Sequence, residues 1–379
     1  MINPFTIGIV TGKDFCDRIE EKKTLLRHIK NSQNVVLYAK RLIGKSSLVK
    51  QVLNEITEEG ILTAYANVFS ISSENDFIDR LAASIASGIN RRAADHRKWN
   101  EKFADLFSRI RISPEVTPQG IQFSIGFDRS LKFSILLEDL MRGLYAYVEK
   151  QNIRAVIALD EFQEVTSLPN SKMIEGVLRQ YMQEHRNISY IYIGSRRRTL
   201  LEMFTDKKRP FYKSAYTQII EEIPKQDFAL YITAKFEESK KKCPLNISEM
   251  IYNSVRGYSY YVQKLASLCW GITEKICTEE TVKMAYGALI KMEAISDFEG
   301  ILDGLSMGQK SMVIAIAKEP IKTPFAKDYL NRHNLSQGTA QKAIKVLIKR
   351  DIIEKHEGCY RTTDPVFDVW LKGTIAGIY

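Results

Sequence analysis

The sequence contains no hydrophobic run long enough to cross a membrane. None of its stretches approaches the roughly 18 to 20 consecutive apolar residues that a spanning helix needs. Its opening, MINPFTIGIVTGKDF, lacks the basic region and the long apolar segment of a secretory signal. We therefore expect a cytoplasmic protein without a membrane partner.

Cysteine is scarce and is not arranged for cross-linking or metal binding. The five cysteines are odd in number, widely spaced and never in a CxxC pair, so their spacing indicates neither a disulfide framework nor a zinc site. We expect reduced, mostly buried thiols. The cysteines are Cys16, Cys243, Cys269, Cys277 and Cys359.

Proline and glycine are also at or below ordinary usage, with ten and 20 residues. These numbers exclude collagen-like, low-complexity and largely disordered chains. A chain of 379 residues predicts two or three domains at about 150 residues each. Its net charge of +10 favours polyanionic partners such as nucleotides, nucleic acid or an acidic membrane surface.

The first half of the chain alternates helical and strand patterns. Residues 18–30 predict a helix and residues 34–39 a buried strand; a second helix ends near Gly60, and another strand follows at 61–69. This βαβ order is typical of a parallel sheet covered by helices. It recurs as helix, strand, helix and strand at residues 131–151, 154–160, 171–186 and 188–195. Residues 75–110 predict a charged helix, and residues 112–128 a loop or hairpin.

The strand pattern stops after about Pro224, which indicates a change of domain. Helices are predicted at residues 225–242, 246–255, 258–276 and 278–293. Three more, at 307–317, 323–332 and 336–350, precede a short hairpin and match the winged-helix layout. The predicted domains are therefore a core at 1–222, a helical domain at 223–300 and a winged helix at 301–379.

A phosphate-binding loop is predicted where the first buried strand ends. Residues 39–46, A-K-R-L-I-G-K-S, fit the relaxed P-loop pattern, in which the first position is Ala or Gly. Backbone N–H groups of such a loop point at the phosphates, Lys45 would reach the β and γ oxygens in catalysis, and Ser46 would ligate Mg²⁺. The alternative is an ordinary turn with a coincidental GKS. The predicted nucleotide-contacting residues of the loop are Ala39, Lys40, Arg41, Leu42, Ile43, Gly44, Lys45, Ser46 and Ser47.

Acidic and polar residues follow two later strands. Asp160 and Glu161 end the apolar run AVIAL, and ligands of open parallel sheets bind at the carboxyl ends of strands. Asp160 is thus placed for the metal shell and Glu161 for orienting or deprotonating a water. Ser195 ends the next strand and could contact the γ-phosphate or the water, while the basic cluster 196–198 could neutralise charge there or on a neighbouring subunit. Solvated strand ends are the alternative for both groups.

These segments together resemble the archaeal-type ATPases of the STAND group, relatives of the AAA+ origin-recognition initiators. The likeness covers nearly the whole chain. Its segments are NPF at the start, the box from Phe15 to Arg18 with Glu20 and Glu21, NVVLYAKRLIGKSSLV, AVIALDEFQEV, YIYIGSRRRTLLEMF and TDPVFDVWL.

The resemblance implies an α/β fold with a P-loop, AAA+-like parallel-sheet core, a helical lid and a C-terminal winged-helix domain. It implies ATP with Mg²⁺, and the sequence carries no guanine-reading NKxD motif. The nucleotide would lie between core and lid, with Phe15, Arg18 or Tyr258 on the side of the base.

The sequence departs from the family pattern at three places. Ala39 replaces the first glycine of the loop, Lys213 and Ser214 replace a glycine-arginine pair, and Ser259 replaces the proline of the lid motif. The second change removes an arginine that would sense charge, with Arg209 or Lys213 as substitutes. We expect nucleotide binding to persist and hydrolysis to be slow.

The C-terminal region carries half of the positive surplus. From residue 305 onward there are 12 Lys and Arg against 7 Asp and Glu. Lys342, Lys345 and Lys349 share one face of the helix at 336–350, where they could meet double-stranded DNA. The alternative is a contact with a protein partner or a second copy, with solvated lysines; Glu354 and Glu357 in the wing count against strong phosphate contact.

The sequence therefore indicates a Mg-dependent protein that binds ATP or ADP, hydrolyses ATP slowly and works as a nucleotide-driven conformational switch. The second hypothesis is a nucleotide-modulated DNA-binding or regulatory scaffold with vestigial hydrolysis.

Overall fold

A computed structural model describes residues 2–92, 109–117, 120–128 and 130–375. The chain divides into two compact units. One spans Gly8–Glu222, and the other combines the residues before Gly8 with those from Ile223 onward. No helix among the described residues is long and apolar enough to span a membrane.

The first unit is built on a five-stranded parallel sheet of order β2-β5-β6-β1-β7. The predicted parallel α/β core is thereby confirmed. Most of its strands are buried on both faces, because helices cover them. The strands of this unit are β1 (Val35–Ala39), β2 (Leu62–Asn67), β3 (Ile110–Thr117), β4 (Gly120–Phe127), β5 (Ala155–Asp160), β6 (Ile188–Gly194) and β7 (Tyr216–Ile220).

The helices of this unit lie between the strands. Their buried positions recur at helical spacing, as Leu48, Val52 and Ile56 do along the second helix. The helices are α1 (Ile19–Lys30), α2 (Lys45–Glu58), α3 (Glu74–Arg92), α4 (Phe133–Gln151), α5 (Ser171–Glu184) and α6 (Arg197–Thr205). The part of the predicted charged helix from residue 93 to 108 lies outside the described residues.

The stretch at 112–128, for which a loop or a hairpin was predicted, lies in a hairpin in which β3 pairs antiparallel with β4. Phe123, Ile125 and Phe127 of β4 pack against the core. Helix α3 packs closely against β2, the strand at one edge of the main sheet. A Cβ at Gly88 would lie 2.4 Å from the Thr63 carbonyl oxygen, so only glycine permits this approach.

The second unit consists of helices and one small β-hairpin. The predicted helices after Pro224 are confirmed, and most of them are shorter than predicted. The helices are α7 (Lys225–Glu238), α8 (Leu245–Ser254), α9 (Ser259–Ile272), α10 (Glu279–Glu293), α11 (Glu299–Asp303), α12 (Met307–Lys318), α13 (Lys327–Arg332), α14 (Gln337–Lys349) and α15 (Pro365–Ile375).

A winged-helix arrangement closes this unit. Helices α12, α13 and α14 are followed by β8 (Ile353–His356) and β9 (Cys359–Thr362), which pair antiparallel as predicted. The Tyr258 hydroxyl donates to the Thr363 carbonyl at 2.7 Å, and the Tyr261 hydroxyl donates to Asp364 at 2.6 Å. These bonds join the helical segment to the end of the wing. The division of this unit at residue 300 stays a prediction.

The N-terminal residues complete the second unit. Asn3 Nδ2 donates to the Ser267 hydroxyl at 2.9 Å, and the Phe5 ring lies 5.6 Å from that of Phe236. Phe5 is buried there. The opening NPF segment is therefore part of the helical packing.

Candidate functional site

The loop between β1 and α2 has the backbone that a phosphate-binding loop requires. Leu42 and Gly44 adopt left-handed conformations, with φ of 64° and 87°. Ala39 is the last residue of β1, where it pairs with Ile220, and it is not in the left-handed region. An alanine is accommodated at this position without strain, since the positions with positive φ come later in the loop.

The first turn of α2 offers unpaired donors. Gly44 precedes the helix, and no side chain caps this terminus. The first bond of the helix runs from the Leu48 N–H to the Gly44 carbonyl, at 3.0 Å, so the N–H groups of the preceding residues have no acceptor within the helix. Such a terminus attracts anions through its N–H groups and its dipole.

Arg18 stabilises the loop between β1 and α2 through a hydrogen bond to the loop backbone. It is 2% exposed, and its guanidinium donates to the carbonyls of Ile43 and Glu221 and to the Glu21 carboxylate. Burial lowers the pKa of Arg18, and Glu21 partly offsets this. The predicted contact of Arg18 with a nucleotide base stays a prediction, but in this structure its donors fix the P-loop backbone.

The segment before Arg18 lies along α2. The Val10 N–H donates to the Ser47 hydroxyl at 3.0 Å, and the Gly12 N–H donates to Gln51 at 2.7 Å. Phe15 is half-buried at the end of this segment. These bonds place residues 10–12 beside the first turns of α2, and the contact of Phe15 with a nucleotide base stays a prediction.

Asp160 lies directly beside Ser46. The Ser46 hydroxyl donates to Asp160 Oδ2 at 2.7 Å, and the Glu161 N–H donates to Oδ1 at 2.9 Å. The Tyr65 hydroxyl also donates to Oδ2. A hydroxyl and a carboxylate are the oxygen ligands that P-loop proteins offer to Mg²⁺ besides water and phosphate, so the donor set fits the predicted metal.

Tyr65 is a site residue that sequence reasoning missed. It belongs to β2, which pairs with β5, and it reaches the carboxylate at the end of that strand. Burial and the neighbouring Asp160 carboxylate raise the pKa of Tyr65, so its hydroxyl keeps the proton and donates. The available signal was an aromatic hydroxyl within the strand LTAYAN.

Glu161 is held by residues from three segments. Lys45 Nζ lies 2.6 Å from its Oε1, while the Ser195 hydroxyl at 2.9 Å and Gln163 Nε2 at 2.5 Å donate to Oε2. Burial alone would raise the pKa of Glu161, but the charge of Lys45 and these hydrogen bonds outweigh it, so the pKa lies below its usual value. The carboxylate is therefore ionised and acts as an acceptor.

Gly194 makes room for this network. A Cβ at Gly194 would lie 2.1 Å from Gln163 Oε1. Gln163 is 1% exposed, and its buried Oε1 has no hydrogen-bond partner among the residues that the structure describes. The structure thus brings Lys45, Ser46, Asp160, Glu161 and Ser195 together, and it adds Gln163 and Tyr65.

The remaining loop residues lie around this centre. Lys40 pairs with Glu222 at 3.2 Å, Arg41 and Leu42 are exposed, and Ile43 is buried. Their contacts with a nucleotide stay predictions.

Other predicted residues have structural partners away from Glu161. Arg209 pairs with the fully buried Glu175, and Arg196 lies 3.1 Å from Glu164. Tyr258 belongs to the other unit and is 4% exposed, so its hydrogen bond to Thr363 is internal. Roles of Arg209 and Tyr258 at a nucleotide stay predictions.

The face of α14 that was predicted to meet DNA is exposed. The helix begins after Ser336, whose hydroxyl accepts the Thr339 N–H at 3.2 Å. Lys342, Lys345 and Lys349 all point to solvent, and within the described part of the chain no carboxylate forms an ion pair with them.

One of the two acids in the wing is neutralised by a neighbour. Glu354 accepts two bonds from Arg361, at 2.9 and 2.7 Å. Glu357 remains exposed at the turn. The wing is therefore less acidic than its sequence indicates.

Comparison with known proteins agrees with this architecture. Residues 296–373 match a family described as a probable winged helix domain. No curated protein matches the sequence. The Walker-type ATPase PABY2304 of Pyrococcus abyssi has a TM-score of 0.68 at 18% identity, over 95% of this chain and 97% of that one.

Two origin-recognition proteins of Aeropyrum pernix are also similar. ORC2, solved as ADPNP-ADP complexes, has a TM-score of 0.58 at 15% identity, over 96% of this chain and 98% of that one. ORC1, solved in complex with DNA, has a TM-score of 0.50 at 13% identity, over 96% and 95%. The expected likeness to Walker-type ATPases and AAA+ initiators is confirmed for the fold. Membership of the STAND group stays a prediction.

Proposed function

We propose that this protein binds Mg-ATP at the loop between β1 and α2 and hydrolyses it slowly, as a nucleotide-driven conformational switch. One observation carries the proposal: a lysine and a serine from the start of α2 meet two carboxylates at the end of β5 and a serine after β6, all within hydrogen-bonding distance. These are the residue types and positions that phosphoryl transfer needs at the carboxyl edge of a parallel sheet.

Each residue has a distinct task in this proposal. The N–H groups of the first turn of α2 and the Lys45 ammonium bind the β and γ phosphates. Ser46 and Asp160 hold Mg²⁺, which neutralises phosphate charge when bound. Tyr65 orients Asp160 from the neighbouring strand.

Glu161 is the residue that orients or deprotonates the attacking water. Its lowered pKa keeps it ionised at neutral pH, as an acceptor must be. Ser195 and Gln163 fix one of its oxygens, so the carboxylate cannot rotate freely. The replacement of a glycine-arginine pair by Lys213 and Ser214 supports slow turnover, since no arginine stands there to stabilise charge.

Isothermal titration of the full chain with ATP, with Mg²⁺ and with EDTA, tests the proposal. Lys45→Ala should weaken Mg-ATP binding by roughly 10- to 100-fold, because hydrogen bonds to charged groups contribute about 1.5 to 3 kcal/mol. Lys30→Ala is the control, since Lys30 forms only an exposed pair with Glu59. Folded wild-type protein without Mg-ATP binding, or equal affinities of the wild type and the Lys45 variant, would contradict the proposal.

A second candidate function is nucleotide-modulated binding of double-stranded DNA, with hydrolysis vestigial. The exposed and unpaired lysines of α14, beside a wing whose Glu354 is neutralised, favour it. Binding to a DNA duplex by the full chain should weaken steeply as salt rises, because phosphate contacts release counterions. Absent or salt-insensitive binding would argue instead for a protein partner or self-association at this face.

A further inference from the structure

Three cysteines that are far apart in the sequence meet in the second unit. Cys243, Cys269 and Cys277 are 2%, 0% and 1% exposed, and all three are free thiols. Cys243 follows α7, Cys269 lies in the last turn of α9, and Cys277 precedes α10. The cluster therefore lies where the connection between α7 and α8 meets the connection between α9 and α10.

The backbone sets two of these cysteines side by side. The Lys242 N–H donates to the Lys275 carbonyl at 2.8 Å, and the Cys277 N–H donates to the Lys242 carbonyl at 2.8 Å. Lys242 and Ile276 thus form a parallel bridge. Cys243 and Cys277 each follow a bridge residue on adjacent parallel segments, and residues that neighbour each other across such a pairing are about 5 Å apart. This spacing falls within the range that a disulfide spans.

The three thiols differ in acidity. The neighbouring thiols of Cys243 and Cys269 lower the pKa of Cys277, although burial opposes this. The bond to Cys277 and burial raise the pKa of Cys243 and of Cys269. Cys277 is consequently the thiol of the three that most readily ionises, and its thiolate is the nucleophile.

Other chemistry for the cluster finds less support. No group of three or more Cys, His, Asp or Glu side chains within the described residues is arranged to hold a metal ion. The spacing of the cysteines in the sequence indicated neither a disulfide nor a metal site. The proximity of Cys243 and Cys277 follows from the bridge between Lys242 and Ile276, which the sequence does not reveal.

We propose that Cys243 and Cys277 are an oxidative modification site, at which hydrogen peroxide forms a reversible disulfide. Because the two thiols are 2% and 1% exposed, a bulky oxidant cannot reach them, and we therefore choose the small peroxide as the oxidant.

The reaction proceeds in two balanced steps. The Cys277 thiolate attacks one peroxide oxygen, the O–O bond breaks, and the departing hydroxide takes up the proton that Cys277 had released, giving water and a sulfenic acid. The Cys243 sulfur then attacks the Cys277 sulfur, the S–O bond breaks, and the hydroxyl leaves as a second water with the Cys243 proton. Two thiols lose two electrons, and the peroxide gains them.

The disulfide would cross-link the connection between α7 and α8 to that between α9 and α10. Such a link restricts the unfolded chain and stabilises the folded unit. A dithiol reductant reverses it by thiol-disulfide exchange.

Peptide mapping of the full-length protein tests the proposal. The folded protein is treated with peroxide, its remaining thiols are alkylated, and the digest is analysed by mass spectrometry without reduction. We expect a linked peptide that contains Cys243 and Cys277 and a whole-chain mass that is lower by two hydrogens. We also expect the melting temperature to rise by roughly 5 to 10 °C and to return after dithiothreitol.

Serine variants provide the matched comparison. Cys243→Ser and Cys277→Ser should lose both the linked peptide and the rise in melting temperature, whereas Cys359→Ser, outside the cluster, should retain them. Mapping of the wild type alone decides the matter if a variant does not fold. Oxidised, folded wild type without this linked peptide, or with Cys269 linked instead of Cys243, would overturn the proposal.

Discussion

The strand ends of the core and the exposed face of α14 present polar side chains in opposite ways. Around Glu161 the lysine, serine and carboxylate groups bond to one another in a buried setting, at distances of 2.6 to 2.9 Å and from segments that follow three strands. On α14 the three lysines extend into solvent without an acid partner among the described residues. A network of the first kind supports geometry-dependent chemistry, whereas a surface of the second kind supports only charge attraction.

This contrast predicts how each region responds to substitution. A single change in the buried network should have a large and specific effect, because the partners left behind lose their bonds in a low-dielectric setting. Changes on the lysine face should be smaller, additive and sensitive to salt. The following experiments test the contrast, beginning with the largest expected effect.

Glu161→Gln should reduce ATP hydrolysis by about 10²- to 10⁴-fold, the usual contribution of a general base. Mg-ATP affinity should stay within a few fold of the wild type, because the amide keeps the shape of the side chain. A phosphate-release assay with titration of Mg-ATP separates the two quantities. Glu164→Gln, which changes an acid paired with Arg196 outside the network, should hydrolyse ATP normally. A wild-type rate for the Glu161 variant would remove that residue from catalysis.

Gly194→Ala should lower the free energy of unfolding by roughly 1 to 3 kcal/mol, the usual cost of overpacking. The added methyl group would displace Gln163, which is buried against Gly194. Denaturant unfolding measures the change. Gly176→Ala on α5 is the control, because a Cβ there meets no atom within 4 Å. Its stability should be equal to or above that of the wild type, and equal losses in both variants would show that the network is not tightly packed.

Replacing Lys342, Lys345 and Lys349 together by Gln should reduce the salt dependence of DNA binding. The slope of log K against log salt should fall by about 3, because each lysine that no longer meets a phosphate lowers it by close to one unit. Fluorescence anisotropy with a DNA duplex at several salt concentrations gives the slope. Lys283→Gln with Lys291→Gln, on exposed positions of α10, controls for the loss of charge alone. Equal slopes for the wild type and the triple variant would exclude this face from DNA binding.

Tyr65→Phe should weaken Mg-dependent ATP binding by roughly three- to tenfold, because the Asp160 carboxylate would lose one of its hydrogen bonds. Asp160 would keep its bonds from Ser46 and Glu161 and lose only one donor. Titrations with Mg²⁺ and with EDTA distinguish this effect from a general loss of affinity, since ATP binding in EDTA should not change. A similar loss under both conditions would mean that Tyr65 supports the fold and not the metal shell.

The sequence could predict the parts of the fold that depend on local patterns. The P-loop between β1 and α2 and the acids after β5 stand in contiguous segments whose spacing is visible in one dimension. The edge strand β7 was missed because it is short and half exposed, as Tyr216 and Ile219 show. Helix α15 was also missed, since the segment after the wing carries no clear periodic pattern.

The candidate site was predictable to the same extent. Lys45, Ser46, Asp160, Glu161 and Ser195 follow strands, and the carboxyl ends of parallel strands share one edge.

The contributions of other site residues depend on tertiary packing. Tyr65 reaches Asp160 through the register of β2 with β5, and Gln163 lies over Gly194. Arg18 is buried and donates to the Ile43 carbonyl, a contact that no local pattern indicated, while its contact with a nucleotide base stays a prediction. Such contacts arise from strand order and close packing, which no single segment encodes.

The packing of Asn3 and Phe5 has a consequence for how the chain is made. Asn3 leaves the ribosome before its partner Ser267, which lies 264 positions later in the chain. The core between them can fold during synthesis, because its strands and helices are complete by Glu222. The N-terminal residues Asn3 and Phe5 can pack into the helical unit only after the helices that contain Phe236 and Ser267 have been synthesised. The helical unit should therefore fold after the core. Removal of residues 2–7 should impair folding of the helical unit and leave folding of the core unchanged.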